Sequence, residues 1–150
     1  LFENVAVAGF VAKAGITKEI REKTDMLLLK MHAEDAKDRL PSQVSGGEAQ
    51  RAAIARAMIG NPGLLFADEP TGALNKANSE EVMNLLTELN HDGQSILMVT
   101  HDVRAAMHGN RILYLEDGKI LDELNLPSYG NDDLKARENK VLSWLSSLGW

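Results

Sequence analysis

The chain has 150 residues, the size of one domain, with 44% apolar and 25% charged side chains, the balance of an ordinary folded protein. It holds no cysteine, which excludes disulfides, thiolate metal sites and a cysteine nucleophile together. Sixteen Lys and Arg against 22 Asp and Glu leave a net charge of −6, a poor match for nucleic acid, and no apolar run reaches the ~18 residues that span a bilayer.

From the N-terminus, residues 3 to 14 read as a short helix ending at Gly15. Thr17 is a candidate N-cap for a second helix over 17 to 32, because Ile20, Thr24, Leu27, Leu28 and Met31 recur at helical spacing. Pro41 ends helical structure before a new start at Ser45-Gly46-Gly47-Glu48. There Ser followed three residues on by Glu forms a capping-box pattern, so the spacing predicts a helix over 46 to 59 that Gly60-Asn61-Pro62 closes.

The texture then changes. Leu64 to Ala67 and Ile96 to Val99 are short unbroken apolar runs, the pattern of buried parallel strands. Between them Val82, Leu85, Leu86 and Leu89 mark a helix closed by His91-Asp92-Gly93, which makes a βαβ unit. Ile112 to Leu115 reads as another strand, turned at Glu116-Asp117-Gly118 into Lys119 to Leu121. After a loop at Pro127 to Gly130, a terminal helix over 131 to 148 places Leu134, Val141, Leu142, Leu145 and Leu148 on one face.

The chemistry-bearing residues stand at the ends of these elements. The first strand runs into Asp68-Glu69 and the second into Thr100-His101-Asp102, and ligands of open α/β sheets bind beyond the carboxyl ends of strands. Asp68 suits Mg²⁺, directly or through water, and Glu69 suits a base that takes a proton from water. The same dipeptide equally serves as a cap for the next segment, and the residues alone leave both roles open. His101 is placed to contact a terminal phosphate, whereas His32, His91 and His108 read as loop histidines. Ser45-Gly46-Gly47 at a helix start offers backbone N–H groups and a favourable dipole to an anion, or else simply an ordinary capped turn.

Taken together, these pieces narrow the choice. Val44 to Arg51, Ile54 to Ala57, Leu64 to Thr71 and Val99 to Asp102, in that order, strongly resemble the ATP-binding cassette ATPases over at least residues 41 to 121. The resemblance makes Val44 to Glu48 the signature motif, Leu64 to Asp68 the Walker B strand, Glu69 the catalytic glutamate, Gly72 to Asn75 the D-loop and His101 the switch histidine. The run from Phe66 to Leu74 is similar to the ATPases of lipoprotein-release, macrolide-efflux and antimicrobial-peptide export systems. Three positions depart from the family pattern: Val44 stands for Leu, Glu48 for Gln, and Asn75 for the D-loop Asp.

The resemblance implies an α/β, P-loop NTPase fold of the cassette type that is incomplete: a parallel-sheet core with a helical subdomain and a C-terminal hairpin and helix. It divides the chain into a helical subdomain with the signature (1–60), the remainder of the ATPase core (61–123) and a C-terminal loop and helix (124–150). A Walker A loop, G-x-x-x-x-G-K-[ST], is absent: the sole Gly-Lys pair, Gly118-Lys119, lies in the hairpin. The chain therefore reads as the later part of an ATPase cut near Leu1, inactive alone and prone to self-association through an exposed sheet edge. In the intact protein the resemblance implies ATP and Mg²⁺. Ser45, Gly46, Gly47 and Glu48 would meet the ATP of a second subunit, and Asp68, Glu69 and His101 the chain's own. A membrane permease would dock in a groove of residues 1 to 40, at the inner face of the cell membrane, with no nucleic-acid partner. The competing readings are a non-transport ATPase of DNA repair or translation and an inactive interaction module. They are disfavoured by the acidic balance, which argues against a nucleic-acid role, and by the intact Glu69 and His101, which argue against decay of the parent.

Overall fold

The computed structural model describes residues 1–13, 17–130 and 133–150. These pack as two compact units, Leu1–Leu97 and Met98–Trp150. The first carries α1 (Phe2–Lys13), α2 (Lys18–Lys30), α3 (Gly46–Met58), β1 (Leu64–Asp68) and α4 (Lys76–His91), and β2 (Ser95–Val99) runs from it into the second. The second holds α5 (Val103–Ala106), β3 (Arg111–Glu116), β4 (Lys119–Asn125) and α6 (Leu134–Ser147).

In the first unit α1, α2 and α3 pack on one another and α3 packs on α4. Thr17 caps α2 as its position predicts, its hydroxyl accepting the N–H of Ile20 at 3.3 Å. The buried stripe of α2 is Ile20, Thr24 and Leu28, with Met31 beyond, and the Thr24 hydroxyl is satisfied within the helix by donating to the Ile20 carbonyl at 2.7 Å. Gly9 lets α1 come close: a Cβ there would lie 3.1 Å from both Ile20 Cγ2 and Ile59 Cγ1. The expected stop of α1 at Gly15 lies outside the described residues. Pro41 does more than end a helix, since it opens a 3₁₀ turn, Pro41–Gln43, and the Gln43 side chain reaches back to accept the N–H of the preceding Leu40 at 3.1 Å. At the end of α3 the residue in the left-handed conformation is Asn61 (φ 51°), not Gly60, and its side-chain carbonyl accepts from Lys23 Nζ at 2.7 Å.

β1 and β2 are neighbours in one sheet, joined through α4, whose Val82, Leu85, Leu86 and Leu89 are all buried. This is a parallel βαβ arrangement. The expectation that both runs are buried strands needs correction. Burial alternates along β1 and β2: Leu65 is 5% exposed, whereas its neighbour Phe66 is 70% exposed. The described residues cover one face of this sheet, and side chains that alternate across a strand send Leu64, Phe66, Leu97 and Val99 to the other.

In the second unit β3 and β4 form the expected antiparallel hairpin, with a bulge between Tyr114 and Leu115. Asp117 (φ 48°) and Gly118 (φ 74°) both take positive φ, which suits the right-handed twist of a two-residue hairpin turn. Asp133 caps α6 by accepting the N–H of Lys135 at 2.9 Å, and the predicted helix start at residues 131 and 132 lies outside the described residues. The apolar stripe of α6 is narrower than its sequence suggests. Val141 and Leu145 are buried with Met107 and Leu126, but Leu134 and Leu142 are exposed, and Arg137 occupies the buried face instead. No helix among the described residues is long and apolar enough to cross a membrane.

Candidate functional site

The start of α3 is a closed reciprocal cap. The Ser45 hydroxyl accepts the N–H of Glu48 at 3.2 Å, and one Glu48 oxygen accepts both the N–H of Ser45 at 2.8 Å and its hydroxyl at 2.9 Å. The second Glu48 oxygen accepts from Arg39 Nη2 at 2.7 Å, and Arg39 also donates twice to the carbonyl of Asp35. Hydrogen bonds from Ser45, first by its backbone and then by its hydroxyl, hold the Glu48 carboxyl below its ordinary range, with Arg39 adding to the effect.

Gly46 faces the segment that precedes α4, and Gly47 the first turn of α4. A Cβ on Gly46 would lie 3.2 Å from Leu74 Cδ2, and one on Gly47 would lie 2.8 Å from Asn78 Cγ and 2.9 Å from its Oδ1. The glycines at this helix start thus admit a neighbouring segment of the same chain. Farther along, Arg51 ties α3 to α4 through Glu81 at 2.7 Å and reaches the His32 carbonyl at 3.3 Å.

Asn75 is the N-cap of α4, its side-chain oxygen accepting the N–H of Asn78 at 2.9 Å. Asn and Asp cap helices about equally well, so Asn at this position preserves the local geometry an Asp would provide. An Asn before a long amphipathic run is itself a cap signal that the sequence carries. Arg39 and Asn78 make tertiary contacts, which no local pattern marks.

Asp68 ends β1, and the chain then turns sharply. Glu69 is left-handed at φ 44°, and its carbonyl accepts the N–H of Gly72 at 3.1 Å. A non-glycine residue in this region costs about 1–3 kcal/mol and persists where its surroundings enforce it, a signature of functional turns. Thr71, in the same turn, is buried. Among the described residues no group of three or more His, Cys, Asp or Glu is arranged to hold a metal ion. Mg²⁺ commonly takes one or two carboxylates and completes its shell with substrate phosphates and water. A lone carboxylate such as Asp68 fits that partial role and not a self-standing metal centre.

The structure therefore brings Gly46 against Leu74 and Gly47 against Asn78, in the stretch that follows the turn at Asp68 and Glu69. His101 belongs to the second unit. It lies between Thr100, whose hydroxyl accepts the N–H of Asp102 at 3.0 Å, and Asp102, which caps α5 by accepting the N–H of Arg104 at 2.9 Å.

Three comparisons bear on this arrangement. The family model described as "ABC transporter" matches residues 1–72. The chain is 36% identical over 146 residues to the macrolide export ATP-binding/permease protein MacB of Pasteurella multocida, covering 97% of this chain and 22% of that protein. It is 44% identical over 119 residues to ABC transporter H family member 2 of Dictyostelium discoideum, covering 79% of this chain and 23% of that one. Among solved structures it matches the dimeric bacterial ABC transporter cassette MJ0796 with a TM-score of 0.73 and 39% identity, over 85% of this chain and 57% of the cassette. The chain thus spans about a fifth of the length of these curated relatives.

Proposed function

The chain belongs to the ABC transporter ATPases, and on that premise we propose that it is part of the ATP-hydrolysing subunit of a membrane export system. The observation that carries this reading is the turn at the end of β1. A left-handed Glu69 follows Asp68 and leads directly into the segment packed on Gly46 and Gly47.

In this reading Asp68 would hold Mg²⁺, and Glu69 would take a proton from the water that attacks the terminal phosphate. When bound, Mg²⁺ offsets the charge of the phosphates. His101 contacts that phosphate. Ser45, Gly46, Gly47 and Glu48 meet ATP held by a second subunit in a head-to-tail dimer, presenting the N-terminal end of α3 to the anion. Asn75 lies in the segment through which the two sites communicate. Residues 1–60 form the helical subdomain that engages a permease at the inner face of the membrane, residues 61–123 the rest of the ATPase core, and residues 124–150 a C-terminal loop and helix. The dimeric form of the MJ0796 cassette and the ATP-binding/permease description of the MacB relatives support this assignment.

The 150 residues contain no Walker A loop, so the chain alone neither binds ATP tightly nor hydrolyses it. Calorimetric titration of the chain with Mg·ATP is expected to give no micromolar binding, and micromolar affinity overturns this statement. In the intact subunit Glu69→Gln is expected to slow ATP turnover by roughly 10²–10⁴-fold, the scale of a lost general base. Unchanged turnover removes Glu69 from that role.

A further inference from the structure

Glu48 places a carboxylate in the first turn of α3, where unpaired N–H groups and the helix dipole already attract negative charge. An anion approaching Ser45 to Gly47 meets that carboxylate as a neighbouring negative charge that already holds the Ser45 N–H. The structure answers with Arg39. Its Nη2 reaches one Glu48 oxygen at 2.7 Å, while its Nε and Nη2 are anchored on the Asp35 carbonyl at 3.3 and 3.2 Å. The other Glu48 oxygen stays on Ser45. Asp35, Arg39, Glu48 and Ser45 thus form one relay, with the Glu48 side chain about four-fifths buried and Arg39 less so.

We propose that Arg39 is a positioning residue for nucleotide binding, which fixes the Glu48 carboxylate on Ser45 and offsets its charge so that the start of α3 accepts the triphosphate. The proposal rests on the reading that Ser45 to Gly47 contact nucleotide. Its distinguishing feature is dependence on the charge at position 48: an uncharged side chain there leaves Arg39 nothing to compensate. A residue that merely held the loop before α3 in place would matter equally with Glu or Gln at 48.

The test is steady-state ATP turnover of the intact subunit as wild type, Arg39→Met, Arg39→Lys, Glu48→Gln, Arg39→Met with Glu48→Gln, and Ser45→Ala. Arg39→Met is expected to raise KM for Mg·ATP roughly three- to tenfold, the scale of a partly exposed charge pair, with kcat within about twofold. Arg39→Lys keeps the charge and loses the fork to the Asp35 carbonyl, so its KM falls between the two. In the double variant KM returns to that of Glu48→Gln alone. A rise in KM that persists in the Glu48→Gln background, or a loss confined to kcat, overturns the proposal. If Ser45→Ala leaves both constants unchanged, the reading of Ser45 as a nucleotide contact falls, and the proposal with it. If Ser45→Ala impairs turnover while Arg39→Met does not, only the proposal falls.

Discussion

At the residue scale, Gly47 shows how one position answers to two demands. A glycine at a helix start suggests room for a ligand, yet the first occupant of that room is Asn78 of the same chain. Its Cγ lies 2.8 Å from where a Cβ would stand, a separation that real Cβ atoms do not show, so Gly47→Ala must push aside the Asn78 side chain or the helix that carries it. Overpacking of this kind costs about 1–3 kcal/mol. Urea unfolding of Gly47→Ala is expected to show a loss on that scale, and Asn78→Ala, which removes the two closest atoms, is expected to recover part of it. Equal stability of Gly47→Ala and wild type contradicts the packing role. The Ser45–Glu48 cap, by contrast, is legible in the sequence because both of its partners lie within one helical turn. Arg39 and Asn78 reach their targets from other segments, and no local pattern announces them.

At the element scale, α6 departs from its apolar pattern because a buried arginine finds carbonyl partners for its donors there. Arg137, 2% exposed, donates to the carbonyls of Met107 at 2.6 Å, Gly109 at 2.8 Å and Pro127 at 2.9 Å, so the guanidinium fork closes two loops onto the helix. Tyr129 lies beneath it at 5.4 Å and stacks on His108 with ring centroids 3.8 Å apart. Burial, and then the charge of Arg137, push the His108 imidazole down from 6.5 to about 4. The unfolded chain therefore takes up a proton near pH 6.5 that the folded chain refuses until about pH 4. This site's contribution to stability is complete above pH 6.5 and is lost progressively as pH falls towards 4. His108→Phe keeps a stacking ring and removes the titration. The difference between wild-type and variant urea midpoints is expected to shift in favour of the variant between pH 7 and 4.5. A pH-independent difference removes His108 from this role.

At the scale of the whole molecule, the described residues cover one face of the sheet of β1 and β2, and Leu64, Phe66, Leu97 and Val99 stand exposed on the other. Exposed apolar surface of this kind drives association. Besides the sheet edge from which self-association is expected, this face offers apolar surface to a second copy, so Phe66→Glu is expected to lower the mass measured by light scattering at a given concentration. A wild-type chain that stays monomeric as concentration rises, or a Phe66→Glu variant that associates as before, removes this expectation.

The sequence by itself determined the family and the order of the elements. Capping residues, helical periodicity and Asp-Gly turn chemistry act over a few residues, and the ordered motifs from Val44 to Asp102 stand on those elements. The tertiary structure alone decided which faces are covered and what the motif residues touch. It assigned Gly47 to Asn78, Glu48 to Arg39, and a buried place to Arg137 where leucines were expected. An unbroken apolar run such as Leu64 to Ala67 is compatible with one covered face or two, and only the elements packed around it distinguish them. Side-chain partners brought together from separate segments follow from chain packing, which leaves no periodic trace in the sequence.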